Sequence, residues 1–286
     1  MSTIEVRTMK EADLLGADEL RRLAGWNQAP EDWRRNLGLC PEGCFVAVST
    51  TGQILGTVTT MCYQQTMAWI GLMLVHPDQR RQGLGTRLMR HALDWLEKTG
   101  IQCVKLDATP AGQPVYARLG FVPESTLNRW RRPGPRAVVL PGEVEIRAVC
   151  AGDLAAIGHL DARAFGISRL AVIESLIQQS RVAFVCLRGA RVCGWGLLRP
   201  GAVADYLGPI VALSSADGCA LAKHLLQRLG DRPVVWDVLD DNKAARVAVE
   251  ELGFQMERPL VRMRLGPNLV KSESCLQFAI ADPSVG

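Results

Sequence analysis

A chain of 286 residues, 48% hydrophobic and 22% charged, has the composition of a globular protein and is long enough for two domains of ordinary size. Its net charge of +4 excludes the dense basic footprint of a nucleic-acid-binding protein, and its longest apolar run, residues 68–75, is too short to cross a bilayer. The amino-terminal segment has no apolar signal core. We therefore expect a cytoplasmic protein, a monomer or weak dimer, whose partners are neither nucleic acids nor membranes.

In the first part of the chain, strand-like and helix-like patterns follow one another in the order βααβββαβαβ. Leucines at helical spacing indicate the helices, and runs of apolar and β-branched residues indicate the strands. The last strand is expected to close the sheet. The predicted elements are a strand at 3–8, helices at 11–25 and after Pro30, strands at 43–50, 52–63 and 67–75, a helix from Leu84 to Gly100, a strand at 101–108, a short helix from Pro114 to Gly120 and a strand at 121–130.

An internal repeat divides the chain into two halves. Residues 4–14 match residues 144–154 at an offset of 140, with Glu, Arg, Asp and Leu retained at equivalent positions. Residues 106–121 match residues 239–254 at an offset of 133, and both segments end in Leu-Gly-Phe. Because the matches occur in the same order in both halves, we infer that one fold occurs twice.

A proline-rich linker separates the two copies. Residues 131–143 contain three prolines and two glycines, which disfavour both helix and sheet, so the boundary is predicted near residue 140. We therefore predict a first domain at 1–138, a second domain at 139–266 and a carboxyl-terminal tail at 267–286.

The loop after the strand at 67–75 has the composition of a phosphate site. Gly83 and Gly85 lie at a helix start, where unpaired amides form a positive concavity, and arginines flank them. The motif G-x-x-x-x-G-K-[ST] is absent, and Leu88 stands where a Rossmann fingerprint requires its third glycine. What remains is R-x-x-G-x-G behind a buried strand.

This pattern resembles the acetyl-CoA signature of the GNAT superfamily of N-acetyltransferases, and residues 106–121 resemble that family's second motif. The segments AGWNQ, EGCFVA and LDATP are similar to those of a two-domain bacterial type, in which a diverged acetyltransferase-like domain follows the active one. The resemblance implies an α/β (α+β) fold class with tandem GNAT folds, each a mixed, mostly antiparallel sheet flanked by helices. The domain at 1–138 would then be the catalytic one.

The resemblance also implies a cofactor site for acetyl-CoA, the cosubstrate. The pantetheine arm would pair with a strand edge as an added strand, and loop amides would bind the pyrophosphate. Tyr116 matches the family tyrosine that protonates the departing thiolate; the reference pKa of a phenol, about 10, exceeds that of a thiol, about 8.5, so the phenol holds the required proton at neutral pH. The predicted cofactor-binding residues are Met73, Leu74, Val75, Arg80, Arg81, Gln82, Gly83, Leu84, Gly85 and Thr86.

The second copy lacks these features. Four residues are missing from its loop, which has lost the arginines and all but one glycine, and Val249 stands opposite Tyr116. Asp107 is matched by Asp240 in the other copy, so we assign it first to capping or turn chemistry and second to catalysis. We expect one acetyl-CoA per chain. The second domain would form a wall of the acceptor cleft or, alternatively, only cover apolar surface of the first.

The resemblance places the acceptor pocket at the break between the first two helices. The predicted acceptor-binding residues are Trp26, Asn27 and Trp33, and the tryptophans could equally staple the two helices together. No carboxylate occurs in the strand at 67–75, where many family members carry a general base. Deprotonation of the amine is therefore left open among water, Glu31, Asp32 and a group from the second domain.

No metal site is predicted. The nine cysteines contain no C-x-x-C pair and the four histidines are scattered, which is typical of reduced, mostly buried thiols. His76, which precedes Pro77 in a turn, is interpreted as a solvated histidine rather than a base.

The leading hypothesis is an N-acetyltransferase that moves acetyl from acetyl-CoA to a primary amine by direct attack, with a small-molecule amine as the expected partner. Neither motif contains a cysteine nucleophile, so no acyl-enzyme intermediate is expected. Two alternatives stay open: the same chemistry with a longer acyl-CoA, and a non-catalytic protein that binds or senses CoA.

Overall fold

The computed structural model describes residues 4–140 and 144–286, and its two halves have the same order of elements. The first half contains β1 (Glu5–Thr8), α1 (Leu14–Ala24), α2 (Pro30–Leu39), β2 (Cys44–Val48), β3 (Ile54–Tyr63), β4 (Met67–Val75), α3 (Leu84–Lys98), β5 (Cys103–Ala108), α4 (Gln113–Arg118) and β6 (Val122–Arg132). The second half contains β7 (Glu145–Ala148), α5 (Leu154–Phe165), α6 (Leu170–Gln179), β8 (Val182–Arg188), β9 (Arg191–Arg199), β10 (Asp205–Ala212), α7 (Ser215–Leu226), β11 (Val234–Leu239), α8 (Lys243–Glu251) and β12 (Gln255–Leu265), followed by β13 (Gln277–Ala279). The predicted order βααβββαβαβ is confirmed, and it recurs in the second half.

The arginine and aspartate retained in both copies form the same structure twice. Arg7 contacts Asp13 at 2.7 Å, and Arg147 contacts Asp153 at 2.7 Å. In each copy the carboxylate also accepts the backbone amide three residues before it, at 2.8 Å. These contacts fix the turn that leads from the first strand of each half into its first helix, which explains why the repeat keeps both residues.

The helix that follows the glycine loop shows how the apolar pattern builds the core. Leu84, Leu88, Ala92 and Leu96 of α3 recur at four-residue spacing, and all four are buried under the sheet of the first half. Helices flank a mixed sheet that is mostly antiparallel, as the sequence predicts. No helix in residues 4–140 and 144–286 is long and apolar enough to cross a membrane.

The two halves share one sheet of thirteen strands, and they exchange a strand at its centre. The strand order is β1-β2-β3-β4-β5-β12-β6-β11-β10-β9-β8-β7, with β13 paired to β10. Thus β12 of the second half pairs with β5, and β6 of the first half pairs with β11. The prediction that the strand at 121–130 closes the sheet of its own half is therefore wrong, because β12 takes that place.

The exchange is possible because β6 and β12 are nearly interchangeable as strands. They align at the repeat offset, are both eleven residues long, and have the same alternation of exposed and buried positions up to the last residue. Both strands therefore offer the edge of β5 the same pattern of exposed and buried side chains. The boundaries predicted at 138 and 266 stay predictions, and the linker residues 141–143 lie outside the described residues.

Candidate active site

A V-shaped opening between β4 and β5 is the first feature of the site. The two strands run parallel and pair only at Met67, Ala68 and Trp69 of β4. Beyond these residues β4 diverges through a bulge, where Leu72 has a φ of +45° and its carbonyl oxygen accepts the Thr57 hydroxyl at 2.7 Å. The rest of β4 therefore has no strand partner on the β5 side.

The predicted strand-edge residues lie on this unpaired part of β4. Leu74 is buried, whereas Met73 and Val75 are half-buried. The start of α3 packs closely against them: a Cβ added at Gly85 would lie 2.9 Å from the Met73 Cε atom. Glycine at position 85 thus brings the helix start and the strand edge together.

The glycine loop ends in an open helix terminus. Gly83 precedes α3 with a φ of +84°, a conformation that suits glycine, and no side chain caps the helix. The first helical hydrogen bond runs from the Arg87 amide to the Gly83 carbonyl at 3.0 Å, so the amides of Leu84, Gly85 and Thr86 have no acceptor in the preceding turn. Such a terminus binds anions.

The side chains of the loop partly define its shape. Arg80 donates from Nε to the Val75 carbonyl at 3.1 Å, and Gln82 donates to the Asp78 carbonyl at 2.8 Å. Arg80, Arg81, Gln82 and Gly83 are exposed. The structure therefore places predicted residues 80–86 together, with exposed arginines beside the free amides.

A cavity of about 40 Å³ lies at the base of the V. Elements of both halves contribute to its wall: β4, β5, the loop after α1, and α4 from the first half, and β12 and the carboxyl-terminal segment from the second. The lining residues are Trp26, Gln28, Ile70, Gly71, Leu72, Met73, Leu106, Asp107, Thr109, Tyr116, Arg258, Leu260, Pro283 and Ser284.

Tyr116 brings the only phenol to this cavity among the described residues. Burial raises its pKa to about 12, and its hydroxyl has no hydrogen-bonding partner in the described part of the chain. Its ring packs at 6.1 Å from that of Phe121, which holds α4 against the core. The phenol is thus protonated at neutral pH and available to a ligand.

The three predicted acceptor-binding residues have different surroundings. Trp26 lines the cavity. The side-chain oxygen of Asn27 instead accepts the amides of Val203 at 3.0 Å and Ala204 at 2.8 Å, and Trp33 is buried in the core beneath α1. The structure therefore keeps only Trp26 at the cavity, while Asn27 joins the two halves and Trp33 staples helices.

The candidate bases lie outside the cavity. Asp32 is buried; although burial acts to raise its pKa, the positive charges of Arg35, at 2.7 Å, and Arg199 hold the pKa below its ordinary value. Glu31 is exposed beside Arg34. His76 accepts the Asp78 amide at 3.3 Å in the turn after β4 and does not line the cavity.

Asp107 lines the cavity, and its partner comes from the other half of the chain. Arg262 of β12 binds it with two hydrogen bonds of 2.9 and 3.0 Å and lies 4.5 Å from the Trp69 ring. Burial raises the pKa of Asp107 although Arg262 opposes the shift. The matching Asp240 accepts Asn128 of β6 at 2.8 Å. Both repeated aspartates therefore bind a strand of the opposite half, which is a structural role but not the cap that we predicted.

The helix start that corresponds to the glycine loop is closed in the second half. Ser214 caps α7 by accepting the Asp217 amide at 3.2 Å. The Asp217 carboxylate is buried there and accepts Ser214 at 2.6 Å and Arg188 at 2.8 Å. The start of α7 thus has a side-chain cap, whereas the start of α3 has none among the described residues.

The strand opening of the second half is also filled. β10 and β11 pair only at Asp205 and Tyr206, and β13 then pairs with β10 beyond that point. The carbonyl of Phe278 in β13 accepts the Trp236 indole of β11 at 2.8 Å. A Cβ added at Gly218 would lie 2.4 Å from the Phe278 ring. In the second half, β13 of the tail predicted at 267–286 therefore occupies the opening that corresponds to the one between β4 and β5.

A different cluster in the described residues has the atoms of a metal site. Cys186, Cys193 and Asp217 are buried, and their ligand atoms lie within 4.8 Å of one another. None of them lines the cavity, and the carboxylate is already bonded to Arg188. Their spacing along the chain carries no metal motif, so sequence reasoning had no signal for this cluster.

Sequence reasoning missed several residues of the cavity wall, among them Gln28, Arg258 and Ser284, and it missed Arg262 behind the wall. Gln28 donates to Asp282 at 3.1 Å, which ties the loop after α1 to the carboxyl-terminal segment. The contacts of Gln28 with Asp282 and of Arg262 with Asp107 each join residues more than 150 positions apart, and no local sequence pattern encodes such a contact.

Comparison with known families agrees with this architecture. The model of the Acetyltransferase (GNAT) family matches residues 14–121, and that of the Acetyltransferase (GNAT) domain matches residues 157–278. Among curated proteins, [Ribosomal protein bS18]-alanine N-acetyltransferase of Escherichia coli strain K12 is 41% identical over 58 residues, which are 19% of this chain and 38% of that protein. The match spans well under half of that relative.

Solved structures share the whole fold. A candidate acetyltransferase from Pyrococcus horikoshii superimposes with a TM-score of 0.84 at 22% identity, over 99% of this chain and 96% of the other. A GCN5-related N-acetyltransferase from Sphaerobacter thermophilus gives 0.70 at 18% identity, over 95% and 98%. A tandem GNAT protein from the clavulanic acid biosynthesis pathway gives 0.66 at 16% identity, over 93% and 100%. The chain belongs to the GNAT family of acetyltransferases and contains two of its domains in tandem.

Proposed function

We propose that the first half of this protein is an acetyl-CoA-dependent N-acetyltransferase and that each chain binds one acetyl-CoA. The observation that carries the proposal is the contrast between the halves. In the first, the open strand edge of β4 leads to a helix terminus with free amides; in the second, Phe278 of β13 lies in the equivalent opening and Ser214 caps the start of α7. Acetyl-CoA is the cosubstrate of this family, and the residues of the open site fit its pantetheine arm and phosphates.

In the proposed reaction the amine nitrogen attacks the thioester carbonyl carbon directly. The tetrahedral intermediate collapses as the carbon–sulfur bond breaks, and Tyr116 donates its proton to the departing thiolate. The pKa of Tyr116, about 12, keeps the phenol protonated for this step, and general-acid assistance is worth roughly a hundred- to ten-thousand-fold in rate. Solvent then returns a proton to the phenolate.

Water is the proposed acceptor of the proton that the amine loses. Asp107 is the carboxylate of the described residues that lines the cavity, and both of its oxygens are bound by Arg262. Asp32 and Glu31 lie outside the cavity beside arginines. No carboxylate within residues 4–140 and 144–286 is thus placed as a free base.

Acetyl is the acyl group of the proposal, and transfer from a longer acyl-CoA stays an alternative. A second alternative is a CoA sensor without catalysis. A sensor needs no proton donor at the cavity, whereas Tyr116 presents there a phenol that has no hydrogen-bonding partner among the described residues. The acceptor is a small-molecule amine or a protein amine; the curated relative from Escherichia coli acts on an alanine of a ribosomal protein.

The proposal is tested by titration calorimetry with acetyl-CoA and by a screen of amines for acetyl-CoA-dependent thiol release. A stoichiometry near one is expected. The variant Gly83→Val should abolish binding, because a branched side chain disturbs the left-handed turn and projects over the free amides. Gly100→Val is the matched control: Gly100 lies at the other end of α3, has a φ of +81° and, like Gly83, has no atom within 4 Å of an added Cβ.

Both substitutions should lower the free energy of unfolding by similar amounts, and only Gly83→Val should lose affinity for acetyl-CoA. Equal affinity of the two folded variants would show that the loop does not bind the cofactor, and a stoichiometry near two would show that the second half has kept a site.

A further inference from the structure

Arg258 is a half-buried cation of the second half that has no acidic partner among the described residues. It lies on β12 and lines the cavity together with Asp107 and Tyr116. Its Nε atom is buried without a hydrogen bond, and no carboxylate of the described residues lies within 4.0 Å of its guanidinium group. Partial burial removes water from the guanidinium group, and no carboxylate among the described residues replaces those hydrogen bonds. A ligand that supplies the missing acceptor would therefore gain binding free energy.

The neighbouring charges are already paired with one another. Arg262 is bound to Asp107, with the distances given above. Arg129, which stands opposite Arg258 in the pairing of β6 and β12, is bound to Asp237 at 2.6 and 2.8 Å.

The third acid near the cavity is also committed. Asp282 accepts Gln28 at 3.1 Å and the Ser284 amide at 2.8 Å. These donors are neutral, so Asp282 keeps a negative charge near the cavity, and Arg258 is the arginine of the cavity wall that has no bonded carboxylate among the described residues.

We propose that Arg258 binds a carboxylate of the acceptor, so that the acceptor is an amino acid or another small primary amine that carries a carboxylate. This inference rests on the proposed function and specifies its substrate class. The guanidinium group presents donors in a planar fork that matches the two oxygens of a carboxylate.

The position of Arg258 gives the second half a direct part in the reaction. Because β12 fills the place beside β5 through strand exchange, a residue of the catalytically silent half reaches the cavity where Tyr116 acts. An arginine 142 positions from Tyr116 in the sequence thus orients the amine toward the thioester.

The test compares amino acids with their amides as acceptors for the wild-type protein, Arg258→Gln and Arg258→Lys. Glycine, L-alanine and β-alanine are each paired with the corresponding amide, and thiol release is measured. For wild type we expect the carboxylate member to have the lower KM. Arg258→Gln should raise that KM about ten- to hundredfold and leave the amide's KM unchanged, and Arg258→Lys should recover part of the loss.

The matched control is Arg264→Gln, which removes an arginine from the same strand outside the cavity and should change neither KM. Circular dichroism and acetyl-CoA affinity verify that each variant is folded. An equal effect of Arg258→Gln on acid and amide, or a wild-type preference for the amides, would overturn the inference.

A binding measurement separates this inference from the proposed function. Calorimetry in the presence of CoA compares N-acetylglycine with N-acetylglycinamide, which mimic the two products. Weaker binding of the amide, and loss of that difference in Arg258→Gln, supports the role of Arg258; equal binding of both compounds overturns it. Failure of acetyl-CoA itself to bind would instead refute the proposed function.

Discussion

Replacement of Arg262 by methionine tests whether the contact across the exchanged strands holds this protein together. The side chain of Asp107 is fully buried and that of Arg262 is 6% exposed, and the two form a bidentate pair. Methionine keeps the apolar stem against Trp69 but leaves the carboxylate without a partner. We expect a large loss of stability, because the Asp107 carboxylate is fully buried and solvent cannot replace the lost arginine.

The magnitude follows from two estimates that agree. Removal of one partner from a buried ion pair costs about 3–5 kcal/mol. The stranded carboxyl can instead take up a proton, which at pH 7 and from a reference pKa of about 3.9 costs about 4 kcal/mol. The pKa of Asp107 is raised in the folded protein. The contribution of its titration to the free energy of unfolding is therefore fully present below the pKa of the unfolded chain and is lost as the pH rises through the folded pKa. The difference between variant and wild type should therefore shrink toward pH 4.

Urea unfolding followed by the fluorescence of the seven tryptophans and by circular dichroism measures this effect. The double variant Asp107→Asn, Arg262→Met should recover about 2 kcal/mol or more, since it removes the uncompensated charge. Arg264→Met, beside the half-exposed Glu124 at 3.6 Å, should cost less than about 1 kcal/mol. A cost below about 1 kcal/mol for Arg262→Met, or no recovery in the double variant, would refute the reasoning.

Three further predictions concern catalysis and the closed second site. Tyr116→Phe should lower the turnover number about 10²- to 10⁴-fold with acetyl-CoA affinity and stability unchanged, because the hydroxyl has no protein partner to lose; an unaltered turnover number in steady-state kinetics would make Tyr116 a packing residue. Since the active phenol is the protonated form and its pKa is about 12, the turnover number should not decline below about pH 11; a descending limb near pH 9 that disappears in Tyr116→Phe would contradict this. Phe278→Ala should destabilise the protein by about 3–5 kcal/mol, since the ring is 1% exposed. Calorimetry should still count one acetyl-CoA, because Ser214 caps the start of α7; a count of two would contradict the closed site.

The sequence by itself determined the local structure and the repeat. The leucine spacing of α3, the apolar run of β4 and the glycines at 83 and 85 are properties of short segments, and a short segment's periodicity follows from helix and strand geometry alone. The loss of the glycine loop from the second copy is likewise visible without a structure. These features sufficed to place the glycine loop between β4 and α3, and Tyr116 on the short helix that follows β5.

Only the tertiary structure decided which strand lies beside β5 and what closes the cavity. β6 and β12 present the same pattern, so periodicity cannot tell which of them pairs with β5, and the choice depends on contacts such as that between Asp107 and Arg262. The same exchange places Arg258 at the cavity, and β13 fills the second opening. Contacts between residues more than a hundred positions apart depend on how the two halves pack, and packing is a property of the whole fold rather than of any segment.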